Sequence, residues 1–325
     1  MNMLDFYKAL NVQMDLALEA TEVLRGDLNQ ELPGISEQKE QFANGSVTKI
    51  KVLNSTGEKI TGKPIGTYLT IEAPDLKVNN RQIHQVISAE LGKQIQQLFA
   101  ELQLKKEASV LLVGLGNWEA TPDALGPKVI EKSLVTRHLY HYAPEELRGG
   151  LREVSAFAPG VLGITGIETA EIIKGVVDRI HPSVVIAIDA LAAANLERIC
   201  TTIQLSNTGI NPGSGIGNKR VGINQETMGV PVIAIGIPTV INAAVIAYRV
   251  FAAITSGNPY LTQQINEERI SSIVGQILEP FGGQLTVTPK EIDELINNTA
   301  RVIADGINQG LHPEINPENS AMYLQ

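Results

Sequence analysis

The sequence has a single cysteine, Cys200, among 325 residues. No internal disulfide can form, as suits a reducing compartment. No apolar run approaches the roughly 18 residues of a membrane span. The N-terminal stretch carries Asp5 and Asp15 and no apolar run of signal-peptide length. A cytoplasmic protein without membrane contact is therefore expected. Charge is also scarce: 19% of residues are charged, against about 25% in an average globular chain, which hints at surface buried between subunits. Cations are the scarcer sign, with 26 Lys and Arg against 35 Asp and Glu and a net charge of −9. Holding phosphates needs clustered Lys and Arg, so direct nucleic-acid binding is not expected.

Several catalytic signatures are missing too. The five histidines never fall in HExxH spacing, and His138 and His141 alone make no metal site. Ser214 stands outside a GxSxG frame, which removes the serine-hydrolase elbow. Gly114 and Gly116 begin a dinucleotide fingerprint, but the third glycine position holds Glu119. A carboxylate there would repel a pyrophosphate. Cys200, in an apolar setting, reads as core.

What is present is enough apolar residue, 43%, for a large core. Residues 1–45 read as a helical start and a loop. Residues 46–74 alternate apolar and polar with turn residues between, an antiparallel hairpin pattern. Residues 80–103 carry Ile83, Ile87, Leu91, Ile95 and Leu98 at helical spacing. Beyond them, apolar strands at 109–115, 184–188, 201–205 and 230–235 alternate with helices at 127–138, 168–180 and 241–254. That order implies a mostly parallel sheet with helices on both faces, an α/β/α sandwich with a small antiparallel region near the N-terminus. Thr288-Pro289-Lys290-Glu291 has the form of a capping box opening a last helix.

Ligands of an open parallel sheet bind beyond the carboxyl ends of its strands. Two acidic residues sit there. Asp123 lies in the loop after the 109–115 strand; its plainer role is a carboxylate at a helix start. Asp189 follows Val184-Val185-Ile186-Ala187-Ile188 and precedes Ala190-Leu191-Ala192-Ala193-Ala194. A carboxylate in so apolar a setting is costly unless paired or functional; its plainer role is to cap a helix starting at Ala190. If the two strands are neighbours, the carboxylates face each other, share a proton and can activate water. Held as a pair, they could instead bind a divalent metal, although no third ligand is evident. The longest Gly-rich loop, residues 206–220, ends in Lys219 and Arg220 and sets two cations near the crevice.

At these residues the chain resembles the germination protease family, endopeptidases of endospore-forming bacteria that degrade small acid-soluble spore proteins. The resemblance is carried by VGLGN and TPDALGPKV, PGVLGITGIET, VVIAIDALAA with LERICTTIQLS, TGINPGSGIGNKR, PVIAIGIPTV and VTPKEID, spanning roughly 109–291. A shorter likeness extends to hydrogenase-maturation endopeptidases, which use the corresponding carboxylates to hold a metal. The family's two essential aspartates fall on Asp123 and Asp189. The resemblance implies a homotetramer and a zymogen: residues 1–15 as a propeptide, 16–325 as one peptidase domain, and self-cleavage between Asp15 and Leu16. It implies cleavage after an acidic residue, for which Lys219 and Arg220 would supply the cationic pocket, with Lys128 and Arg137 in reserve and Asn117 as a further substrate contact. It places the protein in the spore core and needs no cofactor. A metal-dependent endopeptidase on the same aspartates and a nucleotide-binding regulator are the alternatives.

Overall fold

The computed structural model describes residues 6–7, 9–10, 12, 14–25, 31–142, 151–212, 220–255 and 267–313. Nine strands form one sheet: β1 (Ile35–Phe42), β2 (Gly45–Val52), β3 (Gly66–Glu72), β4 (Val110–Gly114), β5 (Val154–Phe157), β6 (Val184–Ala193), β7 (Thr202–Ser206), β8 (Val232–Asn242) and β9 (Thr286–Val287). Their order is β1-β2-β3-β7-β8-β6-β4-β5, with β9 on the end of β8. The centre, β8-β6-β4-β5, is parallel. The N-terminal strands are antiparallel and join it through β3–β7 and β7–β8. They are thus part of the main sheet rather than a separate hairpin.

The longer helices are α1 (Ala17–Arg25), α2 (Arg81–Glu101), α3 (Leu125–Lys132), α4 (Thr169–Ile180), α5 (Ala243–Thr255), α6 (Glu267–Leu278) and α7 (Ile292–Leu311). One sheet face packs against α2, α3 and α7, burying Ile87, Leu91, Val129, Ile296 and Ile303 with Ile186 and Ile233. The other face packs against α4 through Ile173 and Val177 with Val185 and Ala187. Alternate residues of β6 thus serve opposite cores, which is why it reads as an unbroken apolar run. Asn80 caps α2 by accepting from the Gln82 and Ile83 amides. Helices α2 and α7 meet at glycines: a Cβ on Gly92 would lie 3.1 Å from the Gly306 carbonyl oxygen.

Several local expectations are corrected. β1 lies where a loop is expected, because its Ser-Glu-Gln-Lys-Glu-Gln interior hides the strand signal; it is an edge strand, mostly open to water. Between β2 and β3 a short helix, Ser55–Thr61, replaces the turn, capped by Asn54. The helix expected over 127–138 stops at Ser133, whose Oγ donates to Val129 O. Thr288 forms no capping box: its hydroxyl donates to Thr239 O, and α7 begins at Ile292 without a side-chain cap. Strand β6 runs through Ala193, and β8 runs through Asn242, well past Gly236. Asp189 is therefore within a strand and caps no helix.

Candidate active site

From β4 the chain passes to its neighbour β5 on one side; from β6 it passes towards β7 and β8 on the other. The switch point of this sheet is therefore the β4–β6 seam, where a crevice opens beyond the strand ends. Asp123 and Asp189 stand on its two sides.

Asp123 ends a single 3₁₀ turn, Thr121–Asp123, held against the seam. Its Oδ2 accepts from the Asn117 amide at 2.9 Å, and its carbonyl oxygen accepts from the same amide at 3.2 Å. Gly116 makes this closure possible: its φ is +115°, and a Cβ there would sit 1.9 Å from Asp123 O. Gly116, just past β4, thus wraps a carboxylate, while Gly114 at the end of β4 leaves room for Gly126. Thr239 on β8 donates to Pro122 O at 2.7 Å and ties the loop to the sheet. Burial raises the Asp123 pKa, opposed by the Asn117 amide and the positive charge of Arg220.

Asp189 is 5% exposed. Burial pushes its pKa well above the usual carboxylate range, and the nearby charge of Asp123 pushes it further. The Ala190 amide, donating to Oδ1 at 2.9 Å, and Arg220 act the other way. Asp189 therefore senses Asp123, and both sense Arg220. Two close carboxylates disfavour double ionisation.

Where β4 ends, β6 continues with one edge uncovered. Alternate residues of a strand direct their N–H groups to the same edge, and three successive amides there each meet a carboxylate. Ala190 donates to Asp189, Ala192 to Asp15 Oδ2 at 2.9 Å, and Ala194 to both oxygens of Glu19 at 3.0 and 2.9 Å. The N-terminal segment is thereby docked beside the dyad, and the Asp15 charge adds to the raised pKa of Asp189. Glu19, 2% exposed, is pushed by burial up to about 7. Arg198 stands beside it and pairs with Glu22 in a fork at 2.8 and 2.6 Å and with Glu72 at 3.2 Å.

Of the sequence candidates, Asp123, Asp189, Asn117, Arg220 and Asp15 gather here, and Leu16 is fully buried beside Asp15. Lys219 lies outside the described residues. Lys128 bonds Asn297, and Arg137 pairs with Glu153. The sequence reading passed over Lys63 and Gln204. Lys63 Nζ donates to Met14 O at 2.7 Å and Asp15 O at 2.8 Å. Gln204 donates to Asp15 O at 3.3 Å and accepts from the Ala17 amide at 2.6 Å. A single Lys and a single Gln in alternating strand-like stretches carry no spacing signal; only the docked segment reveals them. Among the described residues no three His, Cys, Asp or Glu side chains converge as metal ligands. Two carboxylates fall short of the three protein ligands of a catalytic zinc site, and no step below runs through a metal. No helix among the described residues is long and apolar enough to cross a membrane.

Comparison with known proteins shows which family the chain resembles over nearly its whole length. The family model described as germination protease matches residues 12–255 and 260–324. A germination protease of Caldanaerobacter subterraneus is 49% identical over 94% of this chain and 95% of its own length. Those of Clostridium tetani, 43% identical over 97% of this chain and 100% of the relative, and Bacillus subtilis, 40% identical over 96% of each, align as fully. A nickel–iron hydrogenase maturation protease of Thermococcus kodakarensis is 14% identical, with a TM-score of 0.34, over 66% of this chain and 98% of its own.

Proposed function

This chain belongs to the germination protease family and hydrolyses peptide bonds, and from that premise we propose that it is a two-aspartate endopeptidase acting on small acid-soluble spore proteins. The observation that carries the reading is the placement of Asp123 and the buried Asp189 on the two sides of the sheet's switch point, where the Asp123 charge helps to raise the Asp189 pKa. Asp189, more deeply buried, holds the shared proton. Asp123, fixed by the Asn117 amide, takes a proton from water as the water oxygen adds to the scissile carbonyl carbon. Collapse of the tetrahedral intermediate breaks the C–N bond, and the proton held by Asp189 passes to the leaving nitrogen. The products are a carboxyl and an amine, and the pair is left with one proton.

The protein is made as a zymogen that removes residues 1–15, leaving 16–325 as the mature domain. Asp15 seated on the Ala192 amide supports a cut after it. The same seat then receives the acidic residue of a substrate, with Arg220 and Lys219 on the Gly-rich loop adding positive charge. The working assembly is a homotetramer in the spore core. Exposed Val250 and Ile254 on α5 and Ile273 and Ile277 on α6 offer apolar surface for it.

The test incubates purified protein with a small acid-soluble spore protein, with and without chelator, and sequences the cut ends. Cuts after acidic residues are expected, absent in both Asp123→Asn and Asp189→Asn while both variants stay folded. Near-normal turnover in either variant would remove the dyad.

A further inference from the structure

Gln204 on β7 pairs with Gly236 on β8, and Gly236 pairs with Asp189 on β6. The three residues form one rung across three strands. Side chains on one rung project from the same face of a sheet, so Gln204 and Asp189 rise from the same face about 10 Å apart, with the Leu191 side chain packed over Gly236 between them. Met14, Asp15, Lys63, Leu191, Gln204 and Gly236 line a cavity of about 200 Å³ there. The backbone around Asp15 is held by Lys63 and Gln204. Lys63 reaches it from the turn after Gly62, whose φ of +67° ends the Ser55–Thr61 helix; the Lys63 amide donates to Thr61 Oγ1.

We propose that Lys63 Nζ and Gln204 Nε2 are the catalytic donors that hold the carbonyl oxygen of the bond being cut. This rests on the dyad and on Asp15–Leu16 as the self-cleaved bond. Both groups donate to Asp15 O, the carbonyl oxygen of that bond, at 2.8 and 3.3 Å. Gln204 also accepts from the Ala17 amide, so one side chain spans the bond from its carbonyl to the second residue beyond it. When water adds to the Asp15 carbonyl carbon, the C=O electron pair moves onto oxygen, facing an ammonium and an amide N–H already in place. On collapse the pair returns to re-form C=O as the C–N bond breaks. Preorganised donors of this kind act more strongly out of water. Lys63 is half-buried beside that cavity; burial lowers its pKa, and the charges of Asp15 and Glu19 oppose the shift. The carboxylate pair then has one task, moving protons between water and the leaving nitrogen. A substrate strand entering after residues 1–15 depart would meet the same two donors.

A purely anchoring role for Lys63 and Gln204 is the alternative, and variants separate the two. The rate constant for appearance of a Leu16 N-terminus is followed by mass spectrometry in the full chain, alongside its unfolding midpoint. Lys63→Met should slow the cut about 10²–10³-fold, the loss typical of one oxyanion donor, with the midpoint little changed. Lys63→Arg, which keeps a donor cation, should recover part of the rate. Gln204→Glu keeps the acceptor for the Ala17 amide but removes the donor to Asp15 O; it should also slow the cut with the midpoint little changed, whereas anchoring alone predicts a slower cut only alongside a lowered midpoint. If Lys63→Met does not fold, Lys63→Arg and Gln204→Glu carry the test. Wild-type rates in Lys63→Met and Gln204→Glu, with Asp189→Asn inert, would overturn the donor assignment while leaving the dyad standing. A wild-type chain cut elsewhere, or cut equally well as Asp189→Asn, would instead overturn the underlying site.

Discussion

Replacing Glu19 by Gln should change how stability depends on pH, and the size follows from the structure. Glu19 is buried on α1 with both oxygens on the Ala194 amide, and its pKa rises from 4.5 to about 7 chiefly through burial. A raised folded pKa means that the folded state binds the proton more tightly than the unfolded chain. The contribution to stability is therefore complete below pH 4.5 and lost as pH climbs through about 7. At about 1.36 kcal/mol per pKa unit, a shift from 4.5 to about 7 amounts to roughly 3 kcal/mol. Gln cannot titrate, so it lacks this slope. Urea unfolding of both proteins across this range supplies the assay. The wild-type curve minus the Gln curve should fall by roughly 3 kcal/mol from acid to alkaline pH. Other titrating groups common to both proteins cancel in the difference. Parallel curves would refute the reasoning, because they would mean that Glu19 has the same proton affinity folded and unfolded.

Other substitutions probe the scaffold around the site. Arg198→Met should destabilise the protein by about 3–5 kcal/mol near neutral pH, since it leaves Glu22, Glu72 and the buried Glu19 without their shared cation; the loss, read by urea unfolding, should shrink in acid. Gly126→Ala should cost about 1–3 kcal/mol or more, because a Cβ there would lie 2.3 Å from Leu115 O and 2.6 Å from Ile188 O. It should also lower cleavage, as α3 is pushed off the seam that carries both aspartates. Cys200 is fully buried and its thiol is pushed up to about 12. A thiol reagent should therefore leave it unmodified in the native protein and react on unfolding; rapid native labelling would contradict its burial.

The sandwich and the setting of the two aspartates were legible because their signals are local and chemical. Unbroken apolar strands announce a sheet covered on both faces, and an aspartate amid Val, Ile and Ala announces a charge that needs a reason. The misreadings share a physical cause. Ala190–Ala193 suits a helix by propensity, but pairing with β8 holds it in a strand. Thr288 matches a cap in sequence, yet a carbonyl on β8 takes its hydroxyl. β1 is polar because it is an edge, so its alternation never appears. The carboxylate ladder along β6 joins residues about 175 apart in the chain, a separation that no local pattern encodes.

The β3–β7 pairing also orders events in time. β3 is complete at Glu72, but its partner β7 ends only at Ser206. At the usual ~5–20 residues per second of synthesis, the N-terminal strands wait roughly 7–27 s on the ribosome for the neighbour that joins them to the sheet. Contacts this distant form late because loop-closure entropy opposes them. The seat for Asp15 is later still, since it needs the Ala192 amide on β6 and Gln204 on β7 together with Lys63, and β6 and β7 are joined only through β8, which ends at Asn242. A nascent chain therefore has no grip on its own Asp15–Leu16 bond until more than 200 residues have emerged and folded. Under the proposed self-processing, completion of the sheet acts as a built-in clock that keeps an unfinished molecule from cutting itself.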